Sequence, residues 1–230
     1  MIRLRTAPVL FALLLAAAPA LAAPRLVLPP HEPTNIARFK QGLRDYHDCR
    51  SADACYATDL DREADEAIAA LESEVKARRG EKLAVVLDID DTALSNYAEV
   101  AREGFAYVPA KWAAWVDEAK APAIPGTLRL FKRAKALGVA VFFITGRSGQ
   151  EREATIKNLR AQGYDGWAGL ILRGPGPRVP ASVFKSQERR KLAEKGYRLA
   201  LNVGDQLSDL RGEPQADVSV KLSNPFYEIP

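Results

Sequence analysis

The chain has 230 residues and a formal net charge of +4, with 33 Lys or Arg against 29 Asp or Glu. Basic and acidic residues alternate without a long basic block, so the charge gives little reason to expect a nucleic-acid polymer as a partner. The length suits one domain, or one domain with a small insert, and 47% hydrophobic residues are enough for a sizeable core.

Residues 1–23 have the features of a secretory signal peptide. Arg3 and Arg5 give the positive start, the segment Val9–Ala18 is apolar, and small residues follow at 20–22. The apolar segment is too short to span a bilayer, and no Cys follows it to carry a lipid. We therefore expect a periplasmic or secreted protein without a stable membrane anchor. Removal of the signal peptide would also remove Arg3 and Arg5 and lower the formal net charge.

The only two cysteines, Cys49 and Cys55, follow this segment. In an oxidising compartment, two cysteines this close are expected to form a disulfide that closes a short loop, with free thiols as the alternative. A metal site is disfavoured because two sulfurs need further ligands. The two histidines, His31 and His47, have no suitable spacing to supply them.

Residues 24–80 are predicted to form a helical extension that packs on the core. Apolar residues recur at helical spacing in two stretches between Asn35 and Ala77. Gly80 suits the C-terminal cap of the second helix. The extension carries no evident chemistry.

An apolar run, Leu83–Leu87, ends in the sequence DIDDT at residues 88–92. The run suits a strand buried on both faces, as in a parallel sheet, and such strands present their chemistry beyond their carboxyl ends. Three carboxylates there would repel one another unless a cation or a proton relieved them. A turn with an Asp helix cap is the plain alternative, but D-x-D-x-T behind a buried strand favours a functional site.

The next segment, about residues 95–125, is an insert rich in aromatic side chains. The spacing of its two tryptophans places them on one helix face. The aromatics either form a small core for the insert or cap the site and stack on a planar leaving group. The candidates for stacking are Phe105, Tyr107, Trp112 and Trp115.

Strands and helices alternate through the rest of the chain. Helices are predicted from Pro125 to Gly138 and over residues 151–162. The further strands are predicted at Val139–Ile144, Ala168–Leu172, Leu199–Val203 and Val218–Leu222. This alternation predicts an α/β fold with a doubly wound parallel sheet.

Polar residues follow the ends of the predicted strands. Thr145 and Gly146 follow the second strand and offer a hydroxyl and an amide to a phosphate oxygen. Because the carboxyl ends of parallel strands share one edge, groups distant in sequence are expected to gather there. They are Asp88, Asp90, Thr145, Asp205 and Asp209. Both histidines lie far upstream, which nearly excludes a histidine mechanism.

This constellation resembles the phosphatases of the haloacid dehalogenase (HAD) superfamily. Residues 88–92 are similar to its first motif, Thr145 to the second, Lys185 to the third, and Gly204–Asp205 with Asp209 to the fourth. Longer stretches resemble the class B-type secreted acid phosphatases of subfamily IIIB, which include bacterial lipoprotein nucleotidases and plant storage proteins. Those stretches are 85–88, 94–97, 122–126, 142–147, 184–186 with Arg189, and 222–230.

Two features depart from the family's usual pattern. Asp91 stands where the family more often has Glu, and the lipoprotein Cys is absent.

The resemblance implies an HAD-like core over residues 81–230, with Asp88 as the nucleophile that forms an aspartyl-phosphate. Asp90 would give and take the proton.

The resemblance also implies a Mg²⁺ cofactor and a set of phosphate contacts. Asp88, the backbone carbonyl of Asp90, and Asp205 would hold the metal. Contacts to the phosphoryl oxygens would come from Lys185, Thr145 and the amide of Gly146. Asp209 would orient Lys185 or a metal-bound water, and Arg189 lies nearby in the family pattern.

The expected function is therefore secreted, Mg²⁺-dependent hydrolysis of small phosphomonoesters, nucleoside monophosphates among them. A phosphotransferase that passes the phosphoryl group to an alcohol would use the same residues. A non-catalytic storage or binding protein on this fold is the other alternative, and the presence of Asp88, Asp90, Lys185 and Asp205 argues against it. The oligomeric state is left open.

Overall fold

A computed structural model describes residues 31–176 and 179–229. The predicted signal peptide, residues 1–23, lies outside the described residues. The described residues from Asn35 onward form one compact unit. Within the described ranges, no helix combines the length and apolar character needed to cross a membrane.

Strands and helices follow one another along the chain as follows. The strands are β1 (Leu83–Leu87), β2 (Ala140–Ser148), β3 (Gly169–Arg173), β4 (Arg198–Gly204) and β5 (Val218–Lys221). The helices are α1 (Ile36–His47), α2 (Tyr56–Ala77), α3 (Tyr97–Arg102), α4 (Pro109–Glu118), α5 (Pro125–Ala136), α6 (Arg152–Ala161), α7 (Ala181–Glu194) and α8 (Leu207–Leu210). A single 3₁₀ turn, Gly149–Glu151, joins β2 to α6.

The five strands form one parallel sheet in the order β3-β2-β1-β4-β5. At the carboxyl end of the central strand β1, Leu87 pairs with Phe143 of β2 and Val203 of β4. The residues that follow these three strands therefore lie side by side at one edge. The predicted α/β fold with a doubly wound parallel sheet is confirmed.

Helices cover both faces of the sheet, which explains why β1 is apolar throughout. Val85 and Leu87 belong to a hydrophobic core that includes residues of α2 and α5. Ala84 and Val86, which alternate with them, belong to a second core against α7. A strand buried in this way has no polar face.

The N-terminal extension consists of two helices joined by a disulfide-closed loop. Helix α1 buries none of its residues, whereas α2 packs a full apolar stripe on the core. Cys49 and Cys55 form a disulfide across the intervening loop, where Cys49 has a left-handed backbone. The predicted helical stretch is thus interrupted between His47 and Tyr56.

One predicted boundary was wrong in a way that affects the site. Strand β2 does not stop at Ile144 but continues to Ser148, because Ser148 pairs with Arg173 of β3 after an irregularity in the ladder. Thr145 and Gly146 therefore lie within the last part of the strand and do not follow it. The other strand ends differ from the prediction by about one residue, within the usual uncertainty of such boundaries.

The insert between β1 and α5 contains α3 and α4. Its two ends meet, because Leu94 forms isolated bridges with both Asp90 and Ala123. Trp115 and Val116 of α4 belong to the same hydrophobic core as the sheet. The insert therefore shares the main core and is held directly against the loop that follows β1.

Candidate active site

Asp88 lies at the carboxyl end of β1, the central strand of the sheet. Its backbone N–H donates to the carbonyl of Val203 at 3.0 Å, which continues the pairing with β4. Its buried carboxylate accepts a 2.5 Å hydrogen bond from Nζ of Lys185 on α7. The same ammonium donates to Oδ1 of Asp209 at 2.6 Å. One buried cation thus bridges two buried carboxylates.

This cluster carries more negative charge than Lys185 can balance. Burial raises the pKa of Asp88 well above its ordinary value; the Lys185 ammonium opposes the rise and the nearby carboxylates add to it. Burial alone would lower the pKa of Lys185, but Asp209 and Asp88 outweigh it and raise that pKa above its usual value. Burial, helped by neighbouring carboxylates, also raises the pKa of Asp205 to about 7.

The same carboxylates could bind a divalent cation. Asp88, Asp205 and Asp209 each offer one oxygen, and these oxygens lie within 4.8 Å of one another. Oxygen donors are what hard divalent cations prefer, and three ionised carboxylates against one ammonium leave a charge that such an ion would neutralise. The donor set therefore fits a divalent metal. Asp209 joins this set with its side chain, in addition to its contact with Lys185.

Asp209 reaches the cluster because two features of the chain allow it. Gly204 ends β4, and a Cβ there would overlap the side chain of Asp209, so only glycine permits this approach. Arg189 is fully buried, and its guanidinium donates to the backbone carbonyl of Asp209 at 2.7 Å. It also donates to three carbonyls of the following loop, those of Arg211, Gly212 and Pro214. Arg189 therefore supports the loop that carries Asp209.

Asp205 is oriented by donors from three parts of the chain. The Thr92 hydroxyl donates to Oδ1 at 3.1 Å and accepts from the Asp205 backbone N–H at 2.9 Å. The side-chain amides of Gln206 and Asn224 donate to Oδ2 at 2.6 and 2.7 Å. These hydrogen bonds fix the orientation of the carboxylate, as hydrogen bonds to metal-binding side chains commonly do.

We expect Asn224→Ala to weaken divalent-cation binding by about 10-fold to 100-fold, because Asp205 then loses one of its orienting donors. Calorimetric titration of the purified protein with Mg²⁺ measures the effect. Ser223→Ala is the matched control, since the Ser223 hydroxyl is bonded to Glu63. Equal Mg²⁺ affinities in the two variants would contradict a role for Asn224 in orienting Asp205 for metal binding.

Asp90 follows Asp88 by two residues and is held by a buried arginine. Arg147 of β2 donates to Oδ1 of Asp90 through Nη2 at 2.7 Å and Nε at 3.0 Å. The side-chain amide of Asn96 donates to the same oxygen at 3.0 Å. The hydroxyl oxygen of Thr145 lies 3.5 Å from Oδ2 of Asp90. The first motif and the end of β2 therefore meet at this carboxylate.

Asp91, the third carboxylate of the first motif, orders the loop. It adopts a left-handed backbone with φ of 52°, a conformation that Asp tolerates better than most residues. Its buried carboxylate accepts hydrogen bonds from the Asn96 N–H at 2.8 Å and the Tyr227 hydroxyl at 2.7 Å. Burial raises its pKa to about 6, against the effect of these donors. Both carboxylate oxygens are thus engaged within the protein.

The aromatic residues of the insert lie in different environments. Tyr107 is 67% exposed and lies 6.0 Å from the partly buried Trp112 between ring centroids. Phe105 stacks on Phe226. Trp115 is only 8% exposed, and its indole N–H donates to Oδ1 of Asn96 at 2.8 Å. Of the two roles that the sequence leaves open for Trp115, this burial favours the core over stacking on a substrate.

Comparison with known proteins places this site in a family. The family model described as HAD superfamily, subfamily IIIB (Acid phosphatase), matches residues 30–230. The chain belongs to HAD subfamily IIIB.

Similar curated proteins come from plants. The subfamily IIIB chain is 38% identical to "Acid phosphatase 1" of Solanum lycopersicum over 148 residues, which is 63% of this chain and 58% of that one. It is 34% identical to "Vegetative storage protein 1" of Arabidopsis thaliana over 149 residues, 63% of this chain and 55% of that one. The chain thus spans somewhat more than half the length of these relatives.

A solved structure has a similar fold. The class C acid phosphatase from Bacillus anthracis is 25% identical, with a TM-score of 0.66, covering 82% of this chain and 86% of that one. The likeness therefore extends over most of both chains.

Several side chains that orient the site's carboxylates were not predicted from the sequence. They are Asn96, Arg147, Gln206, Asn224 and Tyr227. Four of the five lie in stretches that resemble the family, which was the available signal. Their partners, however, are up to 136 residues away in the chain, and no local pattern shows such a contact.

Proposed function

We propose that this chain is a Mg²⁺-dependent phosphomonoesterase that acts through an aspartyl-phosphate intermediate. The observation that carries the proposal is the buried Asp88 carboxylate at the end of the central strand, bonded to Lys185 beside Asp205 and Asp209. A carboxylate in such a position can act as a nucleophile toward phosphorus while a neighbouring ammonium counters the charge of the phosphoryl oxygens.

The reaction proceeds in two steps on this chain's residues. In the first, a carboxylate oxygen of Asp88 bonds to phosphorus, the ester P–O bond breaks, and Asp90 gives a proton to the departing alcohol. In the second, Asp90 takes a proton from a water molecule whose oxygen attacks phosphorus. The bond between phosphorus and Asp88 then breaks, which releases phosphate and restores the Asp88 carboxylate. Lys185, the Thr145 hydroxyl and the Gly146 amide bind the phosphoryl oxygens.

Mg²⁺ would be held by Asp88, Asp205 and the backbone carbonyl of Asp90, with the Asp209 carboxylate beside them. When bound, the cation neutralises charge and so allows a phosphate group to approach a carboxylate. The geometry of the buried acids supports this assignment, because oxygens of Asp88, Asp205 and Asp209 lie within 4.8 Å of one another and oxygen donors are what such a cation prefers.

We assign the substrates to small phosphomonoesters, including nucleoside monophosphates. Tyr107 and Trp112 support this assignment, since their partly or largely exposed rings can stack on a planar leaving group. We place the protein in the periplasm or outside the cell, on the strength of the predicted signal peptide and the Cys49–Cys55 disulfide. Small molecules, not nucleic-acid polymers, are the proposed partners.

The names of the relatives raise a storage function as the second candidate. Storage proteins stand beside an acid phosphatase among the similar sequences. A protein kept only for storage needs no assembled catalytic cluster, whereas Asp88, Asp90 and Lys185 here are each held by specific hydrogen bonds. The enzyme is therefore the better supported of the two.

Hydrolysis of p-nitrophenyl phosphate and a panel of nucleoside monophosphates tests the proposal. We expect turnover with Mg²⁺, loss of turnover in EDTA, and recovery when excess Mg²⁺ is returned. The metal should also stabilise the fold, by about 2.7 kcal/mol at 100 times its dissociation constant. An added alcohol that becomes phosphorylated would identify a phosphotransferase. No turnover by folded, metal-loaded protein would favour storage.

A further inference from the structure

We propose that Trp115 is a positioning residue which, acting through Asn96, holds the Asp90 carboxylate for proton transfer. The inference rests on the proposed function and adds a role for the insert. It concerns a tryptophan on helix α4 of the insert, outside the stretches that follow the sheet strands.

The contact between Trp115 and Asp90 runs through two hydrogen bonds, both made by the side chain of Asn96. The indole Nε1–H of Trp115 donates to Oδ1 of Asn96 at 2.8 Å, and Nδ2 of Asn96 donates to Oδ1 of Asp90 at 3.0 Å. Asn96 is fully buried, and Trp115 is 8% exposed within the main core. The connection therefore joins helix α4 of the insert to the second aspartate of the first motif.

The chemistry of the indole group decides which way the amide points. Tryptophan offers a donor and no acceptor, so it must face the carbonyl oxygen of the Asn96 amide. The NH₂ group of Asn96 is thereby turned toward Asp90. Rotating the amide by 180° would place its oxygen against the carboxylate and its NH₂ against the indole N–H, and both contacts would then be repulsive.

The fixed amide distinguishes the two oxygens of Asp90. Oδ1 accepts from Asn96 and from Nη2 and Nε of Arg147, at 3.0, 2.7 and 3.0 Å. Oδ2 has only longer contacts, 3.3 Å from Nε of Arg147 and 3.5 Å from the Thr145 hydroxyl. Oδ2 is thus the oxygen left to carry a proton to the ester oxygen as the P–O bond breaks. Trp115 keeps the carboxylate turned this way.

Trp115→Phe removes the N–H and keeps an aromatic ring in the core. Since a misplaced acid matters most when the departing alcohol is strongly basic, the loss should depend on the leaving group. We expect kcat/KM to fall about 10-fold to 100-fold for alkyl phosphates but less than about threefold for p-nitrophenyl phosphate, within the range that acid–base catalysis contributes. Equal losses for all esters, or no loss, would overturn the proposal.

Two further variants separate positioning from packing. Trp167→Phe is the matched control, because Trp167 packs on Phe143 just before β3, at the opposite end of that strand from the site; we expect no dependence on the leaving group. Replacing Trp115 by benzothienylalanine keeps the bicyclic shape and exchanges N–H for sulfur. This isostere should reproduce the leaving-group effect even where Trp115→Phe folds poorly.

A spectroscopic measurement tests the contact without turnover. In ¹⁵N-labelled protein, both Trp115 variants should shift the side-chain amide resonances of Asn96, and Trp167→Phe should leave them in place. Unshifted resonances would overturn the proposal. If the wild type hydrolyses no ester, the proposed function fails. The positioning role of Trp115 then fails with it, even though the Asn96 resonances still report the hydrogen bond.

Discussion

Asp88→Asn abolishes phosphate-ester turnover, with an expected loss of more than about 10⁴-fold in kcat, because the amide cannot form the acyl-phosphate bond. The fold should survive, because the substitution replaces a carboxylate that is costly to bury with a neutral amide of the same shape. Burial already raises the pKa of the Asp88 carboxyl group. The measurement is p-nitrophenyl phosphate hydrolysis with Mg²⁺ present, together with urea unfolding of the same preparations.

The intermediate itself can be tested with the same pair of proteins. Acid quenching during turnover of a ³²P-labelled ester should trap label on the wild-type chain and none on Asp88→Asn. Asp65→Asn, on the exposed face of α2 and paired with Arg129, is the control for a carboxylate lost elsewhere and should retain label. Label on Asp88→Asn would assign the nucleophile to another residue.

Lys185→Met is expected to remove activity and to destabilise the fold. The variant leaves two buried carboxylates, those of Asp88 and Asp209, without the ammonium that bridges them at 2.5 and 2.6 Å. Removing one partner of a buried ion pair costs about 3–5 kcal/mol. We expect a loss of that size in the free energy of unfolding by urea in EDTA, and a smaller loss in Mg²⁺ because the cation supplies the missing positive charge.

Lys191→Met provides the comparison on the same helix. Lys191 pairs with Glu188 at 2.7 Å, but its side chain is 61% exposed, and such surface pairs contribute about 0–1 kcal/mol. Its loss should leave both turnover and the response to Mg²⁺ unchanged. If Lys185→Met unfolds no more easily than Lys191→Met, the buried ammonium does not balance the cluster.

Strand residues were predictable from the sequence because their environment imposes a simple pattern. A central parallel strand is buried on both faces, so β1 is apolar at every position and needs no partner to be recognised. The edge on which polar residues gather then follows from the parallel direction. This is why Asp88, Thr145 and Asp205 could be placed together although they come from different parts of the chain.

Contacts made by side chains across the fold could not be predicted in this way. The partner of Asp90 is Arg147, 57 residues away, and the partner of Asp91 is Tyr227, 136 residues away. Nothing in the local sequence shows that the side chain of an arginine at the end of an apolar run is buried. Trp115 illustrates the same limit, because its spacing from Trp112 indicates a shared helix face but not which ring is buried.

The bond between Asp91 and Tyr227 has a consequence for sequence variation in this family. Asp91 combines a left-handed backbone with a 2.7 Å bond from the tyrosine hydroxyl, and the additional methylene of glutamate would extend the side chain, so the same bond would require the hydroxyl to move. We therefore expect positions 91 and 227 to covary among relatives, with the longer acid accompanied by a smaller or displaced partner.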